Sequence, residues 1–384
     1  MQRMLRSDPI ELEADIAAFL PAWDELALSC RRPYGTPAWM MAWWRHMAPP
    51  GAQLRVLAVR DGEDLVGLAA MYVAAEARGV RHARLLAARY GGTPLGPIAR
   101  PGAEEEVARL LGAYLGDMRP APQVLHFDGI PTGSPWPALI RSAWSGAGRP
   151  MVQRDAQRPT PTIRAAGMTF DQWMAAKSKN FRQEMRRKRR QLEDRGAVIR
   201  MSETLEEVDQ DLDAFIRLHG SRWDWRGGSG RLKPATKDFL IDLASQLLPL
   251  GRYRLWSIDV NGESISTHLF VCGGGRANYW LGGFDDAWSR YSPAMVTLLA
   301  GVEHALGAGD TEIGLGAGRQ EYKSRFTSEA EQLDWLTLVP SRSLASPRVW
   351  AGVVPGLASR GVSNRVSSAT KERLKSIVKR GAGS

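Results

Sequence analysis

The 384-residue chain has only two cysteines, Cys30 and Cys272. Neither belongs to a C-x-x-C pair or to a nucleophile motif, so no disulfide framework is expected, and free thiols suit a reducing cytoplasm. No stretch approaches the roughly 20 consecutive apolar residues of a membrane span. The opening MQRMLRSDPIELEADI turns acidic where a secretory leader would carry its apolar segment. The expectation is a cytoplasmic protein. The six histidines (46, 82, 126, 219, 268, 304) show neither H-E-x-x-H nor any paired spacing, so no metal site is predicted. No G-x-x-x-x-G-K-[ST] occurs, which excludes P-loop chemistry. Apolar residues are not scarce: at 44% they exclude disorder. A single core stops growing beyond roughly 250–300 residues, so two domains are expected.

The net charge of +10 is concentrated in two segments. Residues 177–200 hold ten Lys/Arg against three Asp/Glu, and residues 346–384 hold eight against one. The remainder is slightly acidic, so the basic pI does not describe the bulk surface. On a helix, Phe181, Met185 and Leu192 form an apolar seam, while Arg182, Arg186, Arg187, Arg189 and Arg190 cover much of the rest. Such a helix is a solvated face or a phosphate-contacting surface, for CoA or RNA. The segment SSATKERLKSIVKRG reads as a short amphipathic helix or a loosely docked basic tail.

Both halves follow one plan. Residues 1–50 read as helical, with Thr36 as a cap, Pro37 in the first turn, and Trp39, Trp43 and His46 at helical spacing. Two β-type runs flank Asp61-Gly62, a hairpin signal; RHARLLAARY is a strand, 101–118 a helix and QVLHFDGI a strand. A Pro-rich stretch around 156–163 marks a boundary. The second half begins with a helix closed by Gly196, then a strand and a helix opened by a Thr204–Glu207 capping box. Three strands turning at Asn261-Gly262 and Gly273–Gly275 follow, then a helix and two more strands. The fold class is therefore α+β and duplicated: a first domain at 1–163, a second at 164–345, and a basic tail at 346–384.

These residues resemble a known family. The meander–helix–strand order is similar to the GNAT acyl-CoA N-acyltransferase fold, and its doubling to the FemABX-like branch. TPAWMMAWW, SKNFRQEMRRKRRQLEDRG, LHGSRWDWRG, VNGESISTHLFV, YWLGGFDDAWSRYSPAMVTLLAGVEHA and IGLGAGRQEYKSRF resemble, in order, the CelD/BcsL-type acetyltransferases linked to bacterial cellulose production. The resemblance implies two tandem GNAT-like domains, each a mixed, mainly antiparallel sheet flanked by helices. The second would hold acetyl-CoA or another acyl-CoA, and the first would be structural or acceptor-binding. The implied activity is N-acyl transfer to an amine of a small molecule, an amino sugar or a polysaccharide precursor. Two alternatives stay open: a FemABX-like transferase using aminoacyl-tRNA, with RNA on the basic helix, and a non-catalytic accessory protein of polysaccharide synthesis.

Acyl transfer needs donors for the CoA pyrophosphate, a neutral amine, and groups for the oxyanion and the leaving thiolate. The family's phosphate loop, R/Q-x-x-G-x-G/A, falls on Arg290-Tyr291-Ser292-Pro293-Ala294-Met295. Arg290 fits the first position, whereas Pro293 and Met295 replace small residues, and proline offers no N–H. Arg290, Tyr291, Ser292 and Ala294, with Lys323, are the candidate cofactor contacts. His219, Arg222 and Trp223, ahead of the loop WRGGSG, are candidates for the acceptor pocket. His268, alternating with Ser266 and Phe270 in a strand, is a candidate base or a structural histidine. Asp285 and Glu312 are candidates to orient or deprotonate the amine. Tyr322 is the candidate acid for the thiolate. Gly314-Leu-Gly316-Ala-Gly318 follows a strand but lacks dinucleotide-loop spacing, and reads as a close backbone passage.

Overall fold

The computed structural model describes residues 5–349, except 77–78, 91, 93, 147, 222–231, 319, 342, 344–345 and 347–348. The first half carries β1 (Arg6–Ile10), β2 (Gln53–Asp61), β3 (Asp64–Ala75), β4 (Arg81–Leu85), β5 (Ile98–Ala99), β6 (Val124–Pro131) and β7 (Pro150–Arg164). Its helices are α1 (Glu13–Ile16), α2 (Leu20–Ser29), α3 (Pro37–Met47), α4 (Glu104–Asp117) and α5 (Trp136–Ser142). The second half carries α6 (Phe170–Ala175), α7 (Lys179–Glu193), β8 (Val198–Met201), α8 (Leu205–Ser221), α9 (Thr236–Leu247), β9 (Tyr253–Val260), β10 (Glu263–Gly273) and β11 (Arg276–Phe284). It ends with α10 (Pro293–Gly307), β12 (Glu312–Gly314), α11 (Glu321–Ser324) and β13 (Ala330–Pro340).

Local chemistry sets many of these elements. Asn261 and Gly262 both adopt positive φ, giving the two-residue turn that matches the twist of β9 and β10. Thr204 and Glu207 exchange the two hydrogen bonds of a capping box at α8. The expected single helix closed by Gly196 is instead α6 and α7, broken where Ser178 accepts from the Phe181 N–H at 3.2 Å. Residues 6–10, expected to be helical, form the edge strand β1 on β2, where Pro9 is tolerated.

The strands join into one sheet in the order β1-β2-β3-β4-β6-β13-β7-β12-β11-β10-β9-β8, with β5 beside β3. The halves exchange strands. β13 inserts between β6 and β7, while the last residues of β7, Thr162–Arg164, pair with Glu312–Gly314 of β12. The Pro-rich stretch expected as a boundary is thus a strand at the centre of the sheet. Its prolines cost no ladder bond on the β12 side: the Pro159 and Pro161 carbonyls accept from Gly318 and Leu315, beyond the end of β12.

One apolar core crosses between the halves. Trp39 of α3 meets Phe239 of α9 at 5.1 Å and Trp280 of β11 at 5.6 Å, both edge-on, and Tyr90 meets the same two rings. Edge-on aromatic pairs add about 0.5–1.5 kcal/mol each beyond area burial. A second core, built from Trp173, Phe181, Met185, Phe270, Leu298 and Val302 among others, lies on the opposite face under α6, α7 and α10. Among the described residues no helix is long and apolar enough to cross a membrane.

Close packing on both faces of β11 explains the glycine pair of YWLGGF. A Cβ at Gly283 would lie 2.4 Å from the Leu218 carbonyl carbon in α8. A Cβ at Gly282 would lie 1.9 Å from His268 Cδ2 on the other face. Because backbone cannot yield as a side-chain end can, Gly283→Ala is expected to cost about 3 kcal/mol. A chemical-denaturation midpoint equal to wild type would refute the tight α8 contact.

Candidate active site

The site begins with a parting of strands. β11 runs parallel to β12 only over Arg276–Asn278, opposite Glu312–Gly314. Beyond Asn278, β11 has no strand partner on this side among the described residues, and a wedge opens against the Leu315–Gly318 turn. On its other side β11 carries one extra residue: Leu281 pairs with Leu269 and Tyr279 with Phe270, leaving Trp280 bulged. A bulge re-aims the backbone where it sits, here at the mouth of the wedge. The Trp280 indole is pinned by donating to the Tyr90 carbonyl at 3.3 Å.

The start of α10 overlooks this wedge. Asp285 caps the 3-10 turn Asp286–Tyr291 by accepting from the Ala287 N–H at 2.9 Å. Ser292 then adopts φ +55°, and Pro293 occupies the first helical position. The Met295 and Val296 N–H groups are spent on the Ser292 carbonyl, and Pro293 has none to give. The Ala294 N–H has no acceptor among the described residues. Charge compensates for the missing donors. α7 lies across the helix start, and Lys188 donates to the Arg290 carbonyl. The Arg290 and Arg195 guanidiniums stack on the Tyr291 ring, 4.6 and 4.4 Å from its centroid. Arg325 pairs with Glu184 and lies 3.8 Å from Met295 Sδ. A helix N-terminus ringed by cations favours an anion.

Four side chains gather on the α10 side of the wedge. His268 of β10 is buried, and its ring meets Tyr279 edge-on at 4.9 Å. Lys323 is buried as well, its ammonium donating to the Gly316 carbonyl at 2.9 Å. Tyr322 and Tyr279 pack, half-buried, against the same apolar cluster as Met295. Tyr279 was not singled out from sequence; in a strand that also carries Trp280 and Phe284, only its position before the bulge distinguishes it.

Other candidates lie elsewhere. Glu312 sits at the closed end of the β11–β12 pair, 3.6 Å from both Arg31 and Arg276, away from the bulge. Asp285 is engaged as the turn cap. His219 is buried on the opposite face of β11, its Nδ1 3.0 Å from the Gly282 carbonyl. Arg222 and Trp223 lie outside the described residues. Cys272 is fully buried, and burial pushes its thiol up to about 12, which leaves no reactive thiolate.

The first half repeats the geometry without the anion site. β4 runs parallel to β6 over His82–Arg84, and α4 takes the position of α10. At the α4 start, however, Glu104 itself accepts from the Gly102 N–H at 2.8 Å, and Glu105 and Glu106 follow. That acidic turn repels a phosphate.

Residues 179–324 match the family profile described as an acetyltransferase (GNAT) domain. The second half is therefore an N-acyltransferase domain of the GNAT superfamily, and the duplicated sheet gives the whole chain a tandem GNAT fold. Among solved structures, FemX aligns with a TM-score of 0.60 at 9% identity, over 88% of this chain and 98% of that one. The C-terminal domain of a protein described as a lysylphosphatidylglycerol synthetase from Agrobacterium fabrum aligns with a TM-score of 0.55 at 12% identity, over 86% and 94%. At these identities the likeness is one of fold. No curated protein sequence matches the chain.

Proposed function

We propose that the protein is an acyl-CoA-dependent N-acyltransferase whose second half binds the thioester in the β11–β12 wedge. The observation that carries this reading is the Trp280 bulge at the mouth of a parted parallel pair, with a cation-ringed helix start beside it. The acyl-CoA, when bound, supplies an activated carbonyl. Arg290, Lys188 and the Ala294 N–H would meet its phosphates, and the backbone at Trp280 would donate to the carbonyl oxygen. The acceptor amine attacks the carbonyl carbon as the C–S bond breaks. His268 takes the amine proton, and Tyr322 gives one to the departing thiolate. The acceptor is an amine on a small molecule, an amino sugar or a polysaccharide precursor, and the CelD/BcsL resemblance points to cellulose or exopolysaccharide production.

Calorimetric titration with acetyl-CoA and CoA tests the reading. Micromolar binding is expected, weakened about tenfold in Arg290→Ala, the order expected for one charge-assisted contact. No heat of binding, or equal binding by the variant, would defeat it.

A second reading is supported by α7, where Arg186, Arg187 and Arg190 are exposed and have no acidic partner among the described residues. If the donor is an aminoacyl-tRNA, as the FemABX resemblance allows, tRNA binds with affinity falling steeply with salt, and CoA gives no heat.

A further inference from the structure

The first half has its own cleft, of about 530 Å³, between the end of α2, the β5 segment and the loop after β6. Cys30, Arg32, Ile98, Glu104, Pro131 and Trp136 are among its lining residues. It lies at the closed end of β11, where the neighbouring Arg31 reaches the Gly275 carbonyl at 3.4 Å. The Trp280 bulge is five residues further along the strand, roughly 15 Å away at the rise of a β-strand. The cleft is therefore separate from the thioester wedge.

Its charges are unequally partnered. Arg31 donates to Thr311 Oγ1 at 2.7 Å and sits 3.6 Å from Glu312. Arg276 is held between Glu312 and Glu331. The Arg32 guanidinium has no hydrogen bond or ion pair among the described residues, although burial already weakens its hold on a proton. Arg32 is part-buried and, among the described residues, no carboxylate contacts it directly, so an incoming anion meets a guanidinium fork that no side chain already fills.

We infer that this cleft binds a small organic carboxylate, with Arg32 as its anchor and the proline, isoleucine and tryptophan wall against the apolar part of the ligand. A monoanion is favoured over a phosphate dianion for two reasons. The Gly102 N–H at the start of α4 is already taken by Glu104, and Glu104, Glu312 and Glu331 surround the position with negative charge. One planar guanidinium fork matches one carboxylate.

Cys30 provides a reporter inside the cleft. Its thiol donates to the Ala99 carbonyl at 3.2 Å and feels the Arg32 charge. The intact protein is treated with iodoacetate, itself a small carboxylate, and in parallel with neutral iodoacetamide. Both alkylate the same thiolate with loss of iodide, so the ratio of their rates cancels the thiolate fraction. Mass spectrometry of the Cys30 peptide gives that ratio. In the folded protein the iodoacetate-to-iodoacetamide ratio is expected to be about fivefold higher than at the same cysteine in urea, from local attraction of the anion. In Arg32→Gln it should fall to the unfolded value. Equal ratios in folded and unfolded wild type overturn the inference without recourse to the variant. So does a ratio unchanged by Arg32→Gln, or a Cys30 that neither reagent reaches.

Discussion

Replacing Tyr322 with phenylalanine is expected to lower kcat about 10²-fold while leaving CoA binding unchanged. The ring packs against the apolar cluster that also holds Tyr279 and Met295, so the fold tolerates the loss of one hydroxyl. That hydroxyl is needed only as the C–S bond breaks, when the thiolate must take up a proton. Loss of a general acid of this kind removes about 10²- to 10⁴-fold, felt in kcat more than in KM. Steady-state rates with a reactive small amine, alongside calorimetry on the same variant, provide the check. An unchanged kcat would remove Tyr322 from the chemistry, and Lys323 and His268 would then be the next groups to test.

Arg200→Met is expected to be the most destabilising single exchange among the surface-reaching charges. Arg200 makes a two-pronged pair with Asp211 at 2.7 and 2.6 Å and reaches Asp259 at 2.5 Å. Asp211 is only 3% exposed, and without the guanidinium its remaining side-chain donor among the described residues is the Ser202 hydroxyl at 2.7 Å. Stranding a buried carboxylate costs about 3–5 kcal/mol. In a chain of this size that is a fall in Tm of roughly 4–6 °C. The double variant Arg200→Met/Asp211→Leu should recover much of the loss, because the penalty lies in the stranded charge. A single variant that melts within a degree or two of wild type would refute this.

What was legible in the sequence is what short-range chemistry decides. The turn at Asn261-Gly262 and the cap at Thr204–Glu207 are fixed by residues within a few positions of each other. The Pro-rich stretch at 156–163 does not read as a strand from sequence because its strand character comes from partners 150 or more residues away, in β12, β13 and the turn after β12. The exchange of β7 and β13 is hidden for the same reason. β1 was missed because an edge strand of five residues gets its structure from β2.

The site divides along the same line. His268, Tyr322 and Lys323 stand out in the sequence as residue types, and the structure places them around the same end of β11. The start of α10 was legible through Ser292-Pro293, and its lost glycine donors were visible too. Glu312 and Asp285 are close to the site in sequence, yet register and capping engage them elsewhere. Tyr279 became a candidate only when the bulge at Trp280 was located, because strand pairing alone reveals which residue is extra.

The most direct test of the wedge is amide hydrogen exchange on the full chain with and without CoA. Slowed exchange is expected in 279–284 of β11, at the start of α10 and in 315–324, with α4 and its acidic first turn unchanged. Protection confined to the first half, or absent from β11 under saturating CoA, would contradict an acyl-CoA site in the second.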